Sequence, residues 1–317
     1  MPTKLGQNFL RDNEVLEKII ESADLKPTDL VVEIGPGEGV LTEKLFKNTS
    51  KILAIEVDNI LANKLKKQYN NSKRIEIINA DILKINLPEI LRGHSMSIMD
   101  IECPSGYKVV ANIPYYITSP IIQLFLETEF PPSEMILMVQ KEVAERICAS
   151  PRGITTENKE TQNNFKKNNL IKNEIKQSIP RGRAGQMSIL AVSVQYYAKP
   201  ELLFYVDKKS FFPVPEVDSA VIKITPFPSP VASTRHPLPK GEEENRKNFF
   251  RIVKAGFSAK RKTLVNNLSS SLKIDKKEVE EKLKKVGINS NQRAQELSVG
   301  DWKKLSLSFP RKRESSE

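Results

Sequence analysis

The chain has 317 residues, 39% hydrophobic and 28% charged, with 50 Lys/Arg against 39 Asp/Glu and a net charge of +11. That is enough apolar material for one large domain and a small one, and no run reaches the ~18 apolar residues of a membrane span. The two histidines, His94 and His236, sit near no other ligand at metal spacing, which argues against a zinc site or a histidine-based hydrolase, and the distant Cys103 and Cys148 fit a reducing, cytoplasmic setting without a disulfide framework. The start, MPTKLGQNFLRDNE, contains no apolar signal core.

In chain order, DNEVLEKIIES (12–22) places Val15, Leu16, Ile19 and Ile20 on one helical stripe, capped by Asp12 or Asn13. DLVVEIG (29–35) is a short apolar strand ending in glycine, and VLTEKLFK (40–47) is the helix after it. A second strand, KILAIEVD (51–58), precedes the helix NILANKLKKQYN, and RIEIINADIL (74–83) is a third strand with a turn. YKVVANIPYY (107–116) leads into a helix at SPIIQLFLET, and EMILMVQ (134–140) into KEVAERICA. Strands alternating with helices predict an α/β fold, a doubly wound, Rossmann-like parallel sheet. ILAVSVQYY (189–197) and SAVIKITPF (219–227) are expected as two closing antiparallel strands at one edge.

The C-terminal part reads differently. Phe249, Phe250, Val253 and Phe257 recur at helix spacing, as do Val279, Leu283 and Val286, so 246–305 is expected to be a small all-α domain. The expected division is 1–227 for the α/β domain, with 152–187 a surface insertion rich in Asn and Lys, then a proline-rich linker over 228–245 and a flexible tail over 306–317. Segment 241–317 holds 19 Lys/Arg against 11 Asp/Glu, a net +8, and 152–187 holds 8 against 3, a net +5. Positive charge concentrated there favours a polyanionic partner.

VVEIGPGEG puts Gly35, Gly37 and Gly39 between a strand and a helix, where the backbone can turn tightly and approach a ligand. A dinucleotide loop would have Gly or Ala at position 40, and Val40 stands there instead, which speaks against a dehydrogenase. The second strand ends in Glu56 and Asp58, where a carboxylate can accept both hydroxyls of a ribose. Asp81, after the third strand, can accept an adenine amino group. S-adenosylmethionine (SAM), with a ribose, an adenine and no phosphates, fits this set.

Asn112, at the end of the fourth strand, presents a carboxamide before the stiffening Pro114. An exocyclic amine on a nucleobase is a poor nucleophile because its lone pair is delocalised into the ring. Two acceptors, the Asn112 side-chain carbonyl and the Ile113 backbone carbonyl, can hold its two N–H groups while Tyr115 stacks on the ring. Methyl transfer depends on alignment more than on a strong base. Phe211 and Phe212, in KSFFPVPEVDSAV (209–221), offer a second ring on a stiff, proline-bounded loop.

QNFL (7–10), EIGPGEGVLT (33–42), IEVD (55–58), NIPYYITSPI (112–121), QKEVAERI (140–147), FFPVPEVDSAV (211–221) and AGFSAKRKTLVNNL (255–268) together resemble the KsgA-type ribosomal RNA adenine dimethyltransferases, over about four-fifths of the chain and in order. The resemblance implies a class I SAM-dependent methyltransferase domain followed by a helical RNA-binding domain. It implies N6,N6-dimethylation of two adjacent adenosines near the 3′ end of small-subunit rRNA, on a pre-small-subunit particle, by a cytoplasmic monomer with no metal and no membrane association. It places the cofactor against Asn8, Leu10, Gly35, Gly37, Glu56, Asp81 and Asn112. It makes Asn112, Ile113, Pro114 and Tyr115 the target-amine motif with Phe211 on the base, and Lys260, Arg261 and Lys262 a phosphate-binding run at a helix start. The chain departs from the family pattern at the 152–187 insertion, and at Met187-Ser188, where the family has Tyr-Gly. The alternatives are a macrolide-resistance type large-subunit rRNA adenine methyltransferase and a methyltransferase-like assembly factor without turnover.

Overall fold

The structure, a computed structural model, describes residues 8–91, 106–128, 130–151, 187–228 and 240–310. Gln7, His94, Cys103, His236, nearly all of the 152–187 insertion and the end of the tail lie outside the described residues. The chain divides into two compact units, one from residues 1–144 with 197–235 and one from 145–196 with 236–317.

The first unit is built on a seven-stranded sheet. Its strands are β2 (Leu30–Ile34), β3 (Lys51–Glu56), β4 (Ile75–Asn79), β5 (Tyr107–Asn112), β6 (Glu134–Gln140), β7 (Ala198–Val206) and β9 (Ser219–Pro226), in the spatial order β4-β3-β2-β5-β6-β9-β7. The first five are parallel, and β9 runs antiparallel between β6 and β7. Every residue of LVVEI in β2 is buried, as a central parallel strand covered on both faces requires. The chain winds outward from β2 to β4 and then returns to lay β5 beside β2, with Leu30 opposite Tyr107. That reversal opens a crevice at the carboxyl ends of β2 and β5.

Three helices follow their strands in the first half: α1 (Asn13–Ala23), α2 (Val40–Asn48) and α3 (Asn59–Gln68). Asp12 caps α1, accepting from the Glu14 and Val15 amides at 3.0 and 3.3 Å. Its stripe of Val15, Leu16, Ile19, Ile20 and Ala23 is buried, each larger aliphatic contributing roughly 1.5–3 kcal/mol. Lys108 of β5 donates to the Ala23 and Asp24 carbonyls at 2.7 and 2.8 Å, satisfying the open C-terminus of α1. After β5 and a 3₁₀ turn (Tyr115–Ile117) comes α4 (Thr118–Glu127), and α5 (Lys141–Ile147) follows β6. A separate two-stranded ribbon pairs β1 (Phe9–Leu10) with β8 (Phe211–Phe212), Leu10 opposite Phe211.

One expected strand is a helix. Residues 189–197 form α6 (Ile189–Tyr197), and the edge strand is the following segment, AKPELLFYV. The Ser188 hydroxyl accepts from the Ala191 amide at 3.1 Å, and Ala191, Val192 and Val194 are buried. Ala191 and Val192 belong to the apolar core of the helical unit. Pro200 is tolerated in β7 because β7 lies at the sheet edge.

The second unit contains α7 (Lys240–Gly256), α8 (Leu264–Leu272), α9 (Lys276–Lys285) and α10 (Val299–Ser308). Its core gathers Phe249, Ile252, Leu268, Leu283, Trp302, Leu305 and Phe309 with Met187, Ala191 and Val192. The helical part begins at Lys240, six residues ahead of the start at 246 that the sequence suggested. It also extends past 305, for Ser306 and Phe309 are buried and the Arg251 guanidinium donates to the Phe309 carbonyl at 2.8 Å.

Candidate active site

The crevice holds a cavity of about 480 Å³, within the size range of small-ligand sites. It is walled by the glycine loop after β2, the ends of β3, β4 and β5, the β1 segment and Phe211. Asn8, Leu10, Gly35, Gly37, Glu56, Asp81, Asn112, Ile113, Pro114, Tyr115 and Phe211 all line it. Lys260, Arg261 and Lys262 belong to the second unit, where all three are exposed in the turn just before α8.

The glycine loop is held from below by a carboxylate. Glu56 is 1% exposed; its Oε2 accepts from the Gly37 amide at 2.9 Å and its Oε1 from the Asp58 amide at 2.8 Å. Each oxygen retains a second lone pair. Gly37 has φ +59°, and a Cβ there would stand 3.1 Å from the Phe9 ring, so both backbone angle and space demand glycine. The structure also separates the two carboxylates at the end of the second strand. Asp58 caps α3, accepting from Ile60 and Leu61 amides, while only Glu56 faces the cavity. Asp81 Oδ1 accepts from the Leu83 amide at 3.0 Å, and Lys84 approaches its Oδ2 to 3.3 Å.

Glu33, absent from the expected site, also lines the cavity. It is 1% exposed, and burial, reinforced by the Glu56 carboxylate, pushes its carboxyl up to about 8, so it is mostly protonated at neutral pH. The Thr42 hydroxyl pulls the other way. Neither Glu33 Oε2 nor Thr42 Oγ1 finds a hydrogen bond of good geometry among the described residues. A glutamate inside an otherwise apolar central strand was the sequence signal for it.

At the end of β5, the Asn112 carboxamide makes no hydrogen bond with another described residue and does not cap α4. Its neighbour is anchored, the Ile113 amide donating to the Met138 carbonyl at 3.2 Å. Pro114 Cδ would lie 3.9 Å from a Cβ at Gly35, so the Asn112 turn and the glycine loop adjoin. Tyr115 is half-buried, with its hydroxyl 2.7 Å from Ser219 Oγ. Of the two phenylalanines, Phe211 is 3% exposed and faces the cavity, whereas Phe212 is 67% exposed.

A family model described as ribosomal RNA adenine dimethylase matches residues 1–175 and 180–310. The chain belongs to that family. Ribosomal RNA small subunit methyltransferase A of Dehalococcoides mccartyi strain BAV1 is 38% identical over 96% of this chain and 87% of its own length. The protein of the same name from Alkaliphilus metalliredigens is 35% identical over 95% and 89%. Among solved structures, a dimethyladenosine transferase from Plasmodium falciparum is 25% identical and superposes with a TM-score of 0.65 over 95% of this chain and 97% of its own. The 23S rRNA methyltransferase ErmE, 24% identical, shares the fold with a TM-score of 0.61 over 95% and 99%. As a member of the family the chain is a SAM-dependent rRNA adenine dimethyltransferase with a class I methyltransferase sheet.

The cavity's donor and acceptor set suits that cofactor. Glu56 and Asp81 line the cavity with carboxylate acceptors, of the kind that hydroxyl and amino donors require, and the glycine loop brings backbone close to it. No described helix is long and apolar enough to cross a membrane.

Proposed function

We propose that the protein dimethylates N6 of two adjacent adenosines near the 3′ end of small-subunit rRNA, as a cytoplasmic monomer acting on a pre-small-subunit particle. The observation that carries this reading is the Asn112 carboxamide, which has no hydrogen-bond partner among the described residues and opens into the same cavity as Glu56 and Asp81. SAM, when bound, supplies a methyl carbon activated by the adjacent sulfonium. The protein's part is alignment. Asn112 Oδ1 and the Ile113 carbonyl accept the two N–H groups of the target amine, turning its lone pair out of the ring plane. The same two acceptors would stabilise the positive charge that the amine nitrogen gains on accepting a methyl group, until its surplus proton leaves to water.

Tyr115 and Phe211 supply ring surfaces for the extruded base, a contact worth ~1–3 kcal/mol per stacked base. Asn8, Leu10, Gly35, Gly37, Glu56 and Asp81 hold the cofactor, Glu56 at the ribose and Asp81 at the adenine amine. In the helical unit, Lys260, Arg261 and Lys262 meet rRNA phosphates and position the substrate without reading sequence. The large-subunit alternative is separated by substrate, not by cavity. Purified protein and labelled SAM are incubated with undermethylated small subunits, large subunits or free rRNA, and the modified bases are mapped. Label on two neighbouring small-subunit adenosines is expected; label confined to large-subunit rRNA, or none with SAM bound, overturns the reading.

A further inference from the structure

Ser219 opens β9 and is completely buried, yet it does not line the cavity. Its backbone is held on both sides, opposite Gln140 of β6 and Val206 of β7. The residue before it is clamped as well: the Asp218 carbonyl accepts from the Lys141 amide at 3.0 Å and its Oδ1 from the Lys208 amide at 3.2 Å. Ser219 is therefore a rigid point, and its hydroxyl shares a 2.7 Å hydrogen bond with the Tyr115 phenol.

Tyr115 is thus gripped at both ends. Its backbone is set by the turn after Pro114, where the Ile117 amide donates to the Pro114 carbonyl and the Thr118 hydroxyl to the Tyr115 carbonyl. Its phenol is set by the strand that follows the Phe211 loop. A tyrosine free at its tip turns about two side-chain bonds; one tied at its tip presents a fixed face. The tie also links two ring-bearing segments, since residues 211–219 run from Phe211 directly into Ser219.

We propose that Ser219 is a positioning residue for methyl transfer: through its hydrogen bond to the phenol it locks the Tyr115 ring and fixes its distance from the Phe211 loop, so that the slot for the target base is preformed. This rests on the function proposed above.

The test compares Ser219→Ala, Tyr115→Phe and the double variant. Tyr115→Phe keeps the ring face and cuts the tie from the other end, so it decides the matter if Ser219→Ala does not fold. Each single variant should lower kcat on undermethylated small subunits by about 3- to 10-fold, leave SAM affinity by calorimetry within about twofold, and show no further loss when combined, as expected for two halves of one interaction. A folded Ser219→Ala with wild-type kcat, or losses that multiply in the double variant, overturns the proposal. A second readout needs no substrate. In protein labelled with ¹³C at tyrosine Cζ, the resonance missing from Tyr115→Phe should shift and broaden in Ser219→Ala; an unmoved, narrow line overturns the tie. Failure of the wild type to methylate would instead sink the proposed function, and the resonance would still decide the tie.

Discussion

Replacing Glu33 by glutamine should change how stability depends on pH, because it removes a buried carboxyl whose proton affinity is far from ordinary. The folded protein holds that proton up to about pH 8, whereas an unfolded chain releases it near the ordinary glutamate value of 4.5. Between those values the folded state binds one proton more than the unfolded state, so stability must fall as pH rises, by ~1.4 kcal/mol per unit. It is greatest below about 4.5 and the loss is complete once the pH has passed the folded value. The full span corresponds to roughly 5 kcal/mol. Glutamine has nearly the same shape and no titration, so Glu33→Gln should match the wild type near pH 5 and exceed it by several kcal/mol near pH 9. The groups that face Glu33, namely Glu56, Thr42 and the Tyr69 phenol, are the same in both proteins. The assay must report the sheet unit. The single tryptophan, Trp302, sits in the helical unit, so its fluorescence would follow the wrong transition. Amide hydrogen exchange of β2, β3 and β5 in cofactor-free protein is the suitable measure. Curves for the two proteins that stay parallel from pH 5 to 9 would refute the assignment of a high proton affinity to Glu33.

Asn112→Ala should lower kcat/KM by about 100- to 1,000-fold while SAM binding weakens far less; equal activity would remove the amide from the mechanism. Neutralising Lys260, Arg261 and Lys262 together should weaken rRNA binding and flatten the salt dependence by about two to three in log–log slope, and an unchanged slope would leave those charges without phosphate partners. Gly256→Ala should destabilise the helical unit by about 1–3 kcal/mol, since its Cβ would fall 2.3 Å from Trp302 Cη2. Here Trp302 fluorescence during denaturation is the right probe, and a midpoint equal to wild type would contradict the packing.

Glycines after an apolar run, a carboxylate at the end of the next strand and an asparagine before proline are local statements, and each was legible because residue type and strand end are both read within a few residues. The alternation of strand and helix was equally legible through to α5. Residues 189–197 were not. ILAVSVQYY is apolar at nearly every position, so neither period stands out, and its β-branched valines suggest a strand. Packing decides instead: the Ser188 cap and the contacts of Ala191, Val192 and Tyr196 with the helical core, including Tyr196 against Phe249 at 4.3 Å between ring centroids, stabilise a helix.

The unaided sequence determined the kind of site, because the glycine loop, Glu56, Asp81 and Asn112 each follow a strand and a parallel sheet sends all its strand ends to one edge. Only the tertiary structure decided which side chains face it. Asp58 turned to cap a helix while Glu56 stayed inward, Phe211 went in and Phe212 out, and Ser219, a hundred residues from Tyr115, came within 2.7 Å of it. Pairings over such separations depend on strand order and register, which no local pattern encodes.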